Sequence, residues 1–298
     1  MDVRSIKTLL IINPKAGRVT AQGYLFEIVN FFSQNNMEVT VMPTQRRGDA
    51  TKIARSTASQ YDLVVSVGGD GTLNEVVVGL MGIEHPPTLG IIPAGTTNDF
   101  ASSLKIPTDA KKAAEVIVNG HLLSLDTGDF QNTNFMYSAT FGFLTEVSYM
   151  TDQKQKNIFG RFAYLLEGAK RIWYKRSYEL SMDYDGQHLE GSFAFGAITN
   201  TYSLAGIIKY ESEQINLGDG LFEVLLIKDP ANVSILRSIF FKLINKQVDK
   251  RFVYLFHAAN IKISCSKSIH WSIDGEDGGS HREVFIRNRC RSIDIMCP

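Results

Sequence analysis

Along the first 125 or so residues, solid apolar runs alternate with stretches of helical periodicity. The runs in KTLLIINP, MEVTVMPT, YDLVVSV and TLGIIPAG are short and nearly continuous, as strands buried on both faces are. Between them, AQGYLFEIVNFFSQNN, GDATKIARSTASQ and TLNEVVVGLMG space their apolar residues by threes and fours. DAKKAAEVIVNG follows the last run and stops at Gly120. Strands separated by helices predict βα crossovers and a parallel sheet covered on both sides, a three-layer α/β domain over residues 1–125.

After Leu123 the pattern changes. LLSLDTGDF, NFMYSATFGF, YELSMDYDGQHLEGSFAFGAITN, GLFEVLLIKD, YLFHAANIKISC, IHWSIDGE, EVFIRN and CRSIDIMC are short and often alternate apolar with polar. Asp185-Gly186 between two such runs signals a hairpin. Two helices interrupt the strands, over 157–171 and 232–245. This half, 126–298, is expected to be mostly antiparallel β, a β-sandwich or open barrel, with the last few residues free to return to the first domain. The fold class is thus α/β plus mostly β, with an active site in a cleft between the two parts. No repeat or low-complexity linker separates them.

Composition narrows the classes without choosing one. The chain has 298 residues, 44% hydrophobic and 21% charged, with net charge zero, so no overall basicity points to nucleic acid. No run reaches the roughly 18 apolar residues of a spanning helix, and the start reads as a strand, not a leader. Cys265, Cys290 and Cys297 form no CxxC pair, which suggests reduced thiols and a cytoplasmic chain. The six histidines show no metal-ligand spacing, and no GxSxG elbow is present.

Candidate chemistry gathers where the parallel strands end, the edge at which such sheets bind ligands. Asn13–Gly17, Thr44–Gly48, Gly68–Asn74 and Pro93–Asp99 follow the four strands and are rich in Gly, Asn, Thr and Pro. SVGGDGTLNEV is neither a P-loop nor a GxGxxG turn, since Asn74 stands where the third glycine belongs. Asp70 and Asp99 read either as helix N-caps or as carboxylates sharing Mg²⁺ with a nucleotide phosphate. The acid-rich stretch 271–279, WSIDGEDGG, lacks the EF-hand order. It is either a turn or a source of a base for a substrate hydroxyl.

Taken in order, NPKAG, GGDGTLNEV, PAGTTNDFA, LDTGDF, GDGLFEV and DGE resemble the diacylglycerol kinase catalytic-domain family, soluble bacterial lipid kinases related to sphingosine and ceramide kinases. The likeness covers nearly the whole chain. GGDGT alone is shared with phosphofructokinases and NAD kinases, whereas LNEV with GTTNDFA and a late DGE is narrower. The resemblance implies an NAD-kinase-like first domain in which Gly68, Gly69, Asp70, Gly71, Thr72, Leu73 and Asn74 cradle ATP, helped by Asn13, Thr44 and Thr96. It places Asp70 and Asp99 in a Mg²⁺ network with Asp126 as a supporting acid. It makes Glu276 the base with Asp274 beside it, two roles that the sequence leaves exchangeable.

A structural Mg²⁺ is implied at the Asp219 carboxylate and the carbonyls of Asn216 and Leu221. Relatives often carry two acids at that turn and this chain has Gly218-Asp219, so a weaker site is expected. The implied reaction is γ-phosphoryl transfer from ATP to a lipid hydroxyl, diacylglycerol giving phosphatidic acid. NAD or other small-molecule kinase activity, and a non-catalytic lipid- or nucleotide-binding regulator, are the alternatives. The lipid partner places the enzyme at the inner membrane surface, and a homodimer stays open. Residues 154–176 carry an aromatic stripe among seven cations, readable as core packing or as a membrane-facing helix.

Overall fold

The computed structural model describes residues 4–16, 21–96, 98–131, 133–142, 177–201, 203–204, 208–209, 216–230, 232–245 and 247–298. The helix expected over 157–171 and the basic aromatic segment 154–176 lie outside them. The chain divides into two compact units: Met1–Asp126 with Arg291–Pro298, and Thr127–Cys290.

In the first unit, β1 (Ile6–Ile12), α1 (Ala21–Gln34), β2 (Met37–Pro43), α2 (Asp49–Thr57), β3 (Leu63–Gly68), α3 (Asp70–Leu80) and β4 (Thr88–Pro93) alternate as the apolar runs predict. The strands lie in the order β4-β3-β1-β2 and all pair in parallel. Every residue of β3 is buried, which explains a run without alternation. Right-handed crossovers place α1 on one face of the sheet and α2 and α3 on the other. A short helix absent from the sequence expectation, α4 (Asp99–Ser103), precedes α5 (Ala110–Asn119). Helix α5 packs on α1, and its N-terminus is capped by the Asp109 carboxylate, which accepts from Lys112 N at 3.0 Å. The chain then enters β5 (His121–Phe130). Its last strand, β15 (Glu276–Cys297), ends beside β4 with Ile295 opposite Leu89, in parallel.

The second unit is built from the end of β5, β6 (Thr133–Phe135), β7 (Ser138–Gly142), β8 (Tyr178–Tyr184), β9 (Gln187–Thr199), β10 (Ser203–Leu204), β11 (Ile208–Lys209), β12 (Phe222–Lys228), α6 (Val233–Ile244), β13 (Val253–Ala258), β14 (Asn260–Ile273) and most of β15. Strands β7 and β8 each pair with both β9 and β14, so these four close a circuit of antiparallel ladders. The long β9 and β14 therefore serve two pairings each. Two runs that read as separate in the sequence, NIKISC and IHWSI, are one strand, β14. Its register slips between Ser264 and Ile269 and again between His270 and Ser272, and such bulges bend a long strand. Inside lie Phe130, Phe135, Phe141, Phe193, Phe222 and Trp271, none more than 1% exposed. Helix α6 seals a second cluster, setting Leu236, Ile239 and Leu243 against Phe195, Leu225, Ile227 and Val253. Its first turn is capped by Asn232, whose side chain accepts from Ile235 N at 3.0 Å.

Candidate active site

In the strand order β4-β3-β1-β2, the connections after β1 and β3 leave toward opposite faces. The crevice at their carboxyl ends is the topological switch point. Asn13 stands there at the end of β1 and Gly68 at the end of β3. The Asn13 N–H donates to Val67 O at 2.9 Å, and its amide donates to Thr72 Oγ1 at 3.1 Å. The turn after β4 joins them: Ala94 N donates to Gly68 O at 2.8 Å. Gly69 and Gly95 meet backbone to backbone, and a Cβ on Gly95 would fall 2.5 Å from Gly69 Cα. Glycine is needed here for close approach. Asn98 holds the second turn by a reciprocal pair, accepting from Gly95 N and donating to Gly95 O, both at 2.9 Å, with its own backbone left-handed at φ 50°.

The loop after β2 is fixed from two sides. Thr44, 9% exposed, donates its N–H to Ile12 O at 2.9 Å. Asp49 accepts from the N–H groups of Gln45 and Arg46, both at 3.0 Å. The Gln45 N–H is the chief reason that the Asp49 carboxyl sits below its ordinary pKa.

Neither aspartate stands at the N-cap position of its helix. The N-cap of α3 is Gly69 and that of α4 is Asn98, so Asp70 and Asp99 each occupy the first helical position. Asp70 Oδ1 accepts from Phe100 N at 3.3 Å, which binds the start of α3 to the start of α4. The Asp99 side chain lies outside the described residues. Thr96 is exposed between the two. Asp126 is fully buried and accepts from Arg291 N at 2.7 Å, where the Arg291 backbone is left-handed at φ 46°.

A nucleotide fits what this edge offers. The first N–H groups of α3 have no partner within the helix, and a helix N-terminus attracts anionic phosphate. Asn74 Oδ1 on α3 and Ser66 Oγ on β3 are two of several buried side-chain polar atoms among the described residues that have no hydrogen-bond partner. Buried polar atoms are rarely left so without a ligand or water. No group of three or more His, Cys, Asp or Glu side chains converges as a metal cage among the described residues. Mg²⁺ bound with phosphate needs only one or two carboxylates.

The remaining candidates belong to the second unit. Asp274 and Gly275 form the two-residue turn between β14 and β15, with Ile273 paired to Glu276 and positive φ at both central residues, 48° and 81°. The Asp274 carboxylate, 7% exposed, accepts three backbone N–H groups: Met136 at 2.7 Å, Tyr137 at 3.0 Å and Ser138 at 2.8 Å. Tyr137 returns its hydroxyl to Asp274 O at 3.1 Å. Glu276, two residues on, is half-buried. In the turn before β12, Asp219 Oδ1 accepts from Leu221 N at 3.0 Å, while Asn216 O accepts from Asp219 N at 3.3 Å. Gly220 supplies the left-handed step at φ 85°.

A family model described as the diacylglycerol kinase catalytic domain matches residues 7–130. The chain is 34% identical over 291 residues to the diacylglycerol kinase of Bacillus subtilis, covering 97% of this chain and 95% of that one. The chain belongs to the diacylglycerol kinase family. The Staphylococcus saprophyticus diacylglycerol kinase is 33% identical over 96% of this chain and 97% of its own. The crystal structure of a candidate diacylglycerol kinase from Bacillus anthracis superposes with TM-score 0.85 at 26% identity, over 100% of this chain and 99% of that one. Family membership makes the protein a lipid kinase. No helix among the described residues is long and apolar enough to cross a membrane.

Proposed function

We propose that the protein transfers the γ-phosphoryl group of ATP to the free hydroxyl of diacylglycerol, giving phosphatidic acid in a Mg²⁺-dependent reaction. The observation that carries this reading is the buried, partnerless Asn74 oxygen beside the glycine turn, at the N-terminus of α3. Gly68–Asn74 hold the phosphates through backbone N–H groups, with Asn13, Thr44 and Thr96 around the nucleotide. Asp70 and Asp99 are the groups that would hold Mg²⁺, which when bound neutralises phosphate charge. Asp126 acts from the interior, by fixing the backbone of Arg291. Glu276 accepts the proton from the lipid hydroxyl, and Asp274 holds the turn that presents it. Asp219, with the carbonyls of Asn216 and Leu221, is the proposed structural Mg²⁺ site. A lipid acceptor puts the enzyme on the cytoplasmic membrane surface.

Labelled ATP offered with diacylglycerol micelles or with NAD tests the reading. Label should enter the lipid and not NAD, and Asp70→Ala should abolish transfer. Phosphorylation of NAD without phosphorylation of lipid would overturn it.

A further inference from the structure

Glu75, the acid of the LNEV stretch, lies on α3 beyond the residues proposed to hold nucleotide and metal. Its side chain leaves α3 and reaches the start of α2. There Oε1 accepts from Gly48 N at 2.8 Å and Oε2 from Ala50 N at 3.2 Å. Gly48, the N-cap of α2, is left-handed at φ 85° and has no side chain to cap with. Glu75 supplies that cap from another helix, as a carboxylate at the positive end of α2. Its backbone carbonyl also accepts from Thr51 Oγ1 at 2.8 Å.

One turn further along the same face of α3 stands Gly79. A Cβ there would meet Ala54 Cβ at 2.6 Å and Thr51 O at 2.7 Å, so α2 rests directly on the backbone of α3. The two points together set the position and angle of α2. The loop that feeds α2 is the one that carries Thr44. Asn74, immediately before Glu75, is the fifth residue of α3, the helix that the glycine turn feeds. A single residue pair thus joins two of the strand-end loops that surround the nucleotide.

We infer that Glu75 is a positioning residue for nucleotide binding. Through the N-terminus of α2 it holds the Thr44 loop at the working distance from the Gly68–Asn74 turn. This rests on the reading of that edge as the ATP site. Loss of the carboxylate leaves the turn intact and lets the Thr44 loop drift, so affinity for ATP falls while affinity for lipid does not.

Steady-state kinetics against ATP and against diacylglycerol, with binding of a fluorescent ATP analogue, test this on the full-length chain. Glu75→Ala should raise the KM for ATP and the analogue Kd about tenfold, the scale of one charge-assisted hydrogen bond, and leave the lipid KM within twofold. Glu75→Gln, which keeps one acceptor oxygen, should recover part of the loss. Gly79→Ala should shift the same constant by moving α2. Asp109→Ala removes an ordinary cap on α5; it should lower the melting temperature without changing the KM for ATP. The inference fails if Glu75→Ala and Gly79→Ala bind the analogue as wild type does, or if they change only the melting temperature, as Asp109→Ala does. If wild type itself binds no nucleotide, the reading of the ATP site falls and this inference with it.

Discussion

The second unit contains two Asp-Gly hairpins of nearly the same construction and different consequence. Asp185-Gly186 joins β8 to β9 with φ values of 43° and 81°, and Asp274-Gly275 joins β14 to β15 with 48° and 81°. Both carboxylates turn back onto backbone N–H groups. Asp185 accepts from Ala259 at 2.7 Å and Asn260 at 2.9 Å, in the open. Asp274 accepts from three consecutive residues in the interior. The next residue is an exposed Gln187 in one case and a half-buried Glu276 in the other. A turn motif therefore specifies backbone geometry alone. Burial decides how much stability hangs on the carboxylate, and the residue that follows decides what the turn presents.

If Glu276 is what the buried hairpin presents, its loss should affect chemistry and not folding. Glu276→Gln is expected to lower kcat about 10²–10⁴-fold with an unchanged melting temperature, measured on the same preparation. A variant that keeps wild-type turnover would remove the main difference between the hairpins. Asp274→Ala should act the other way round, through stability first. It strands the buried N–H groups of Met136 and Ser138 and the part-buried one of Tyr137, and each buried one costs about 1–3 kcal/mol. Denaturant unfolding should show a loss of roughly 3 kcal/mol or more. A loss under about 1 kcal/mol would mean that water or a rearranged 136–138 segment replaces the carboxylate.

The same contrast shows what the sequence could and could not convey. Asp185-Gly186 was legible because the turn chemistry is local and the flanking runs alternate. At 271–279 the same chemistry was present, but nothing local told Asp274 from Glu276. The acceptors' partners, Met136 to Ser138, lie some 136 to 138 residues away. The parallel strands of the first unit were legible because burial on both faces leaves a continuous apolar run. The helix α4 was not, since five residues carry no periodicity. Glu75 was hidden in a different way. An acid in an amphipathic helix reads as solvated, and only the left-handed, side-chain-free cap at Gly48 shows where it is needed.

Smaller effects concern the exposed hairpin. Partial burial opposes ionisation of Asp185, but the N–H groups of Ala259 and Asn260 outweigh it and hold its pKa below the usual carboxylate value. A group with a lowered native pKa stabilises above its unfolded value, near pH 4, and loses that contribution as pH falls through the native value. Asp185→Ala should cost about 1 kcal/mol or less at neutral pH, and the gap from wild type should close as the solution is acidified. A gap that stays constant down to pH 2 would assign the effect to the αL backbone of the turn and not to the carboxylate.

The smallest effect lies in the first residues of β9. His188 Nδ1 meets Asp183 at 2.6 Å and Nε2 meets Glu190 at 3.1 Å. The hydrogen bond to Asp183, then that to Glu190, raises the imidazole pKa above its ordinary value. The sign is opposite to that of Asp185: the imidazolium stabilises fully below the unfolded pKa of about 6.5, and its contribution vanishes as pH climbs through the raised native value. Melting temperatures of wild type and His188→Gln should differ most at pH 5.5 and converge by pH 9. All three groups are solvent-exposed, so added salt should shrink the difference further. A difference that grew with pH would mean that His188 acts as a neutral hydrogen-bonding ring, and the exposed hairpin would then owe none of its pH dependence to this ion-pair triad.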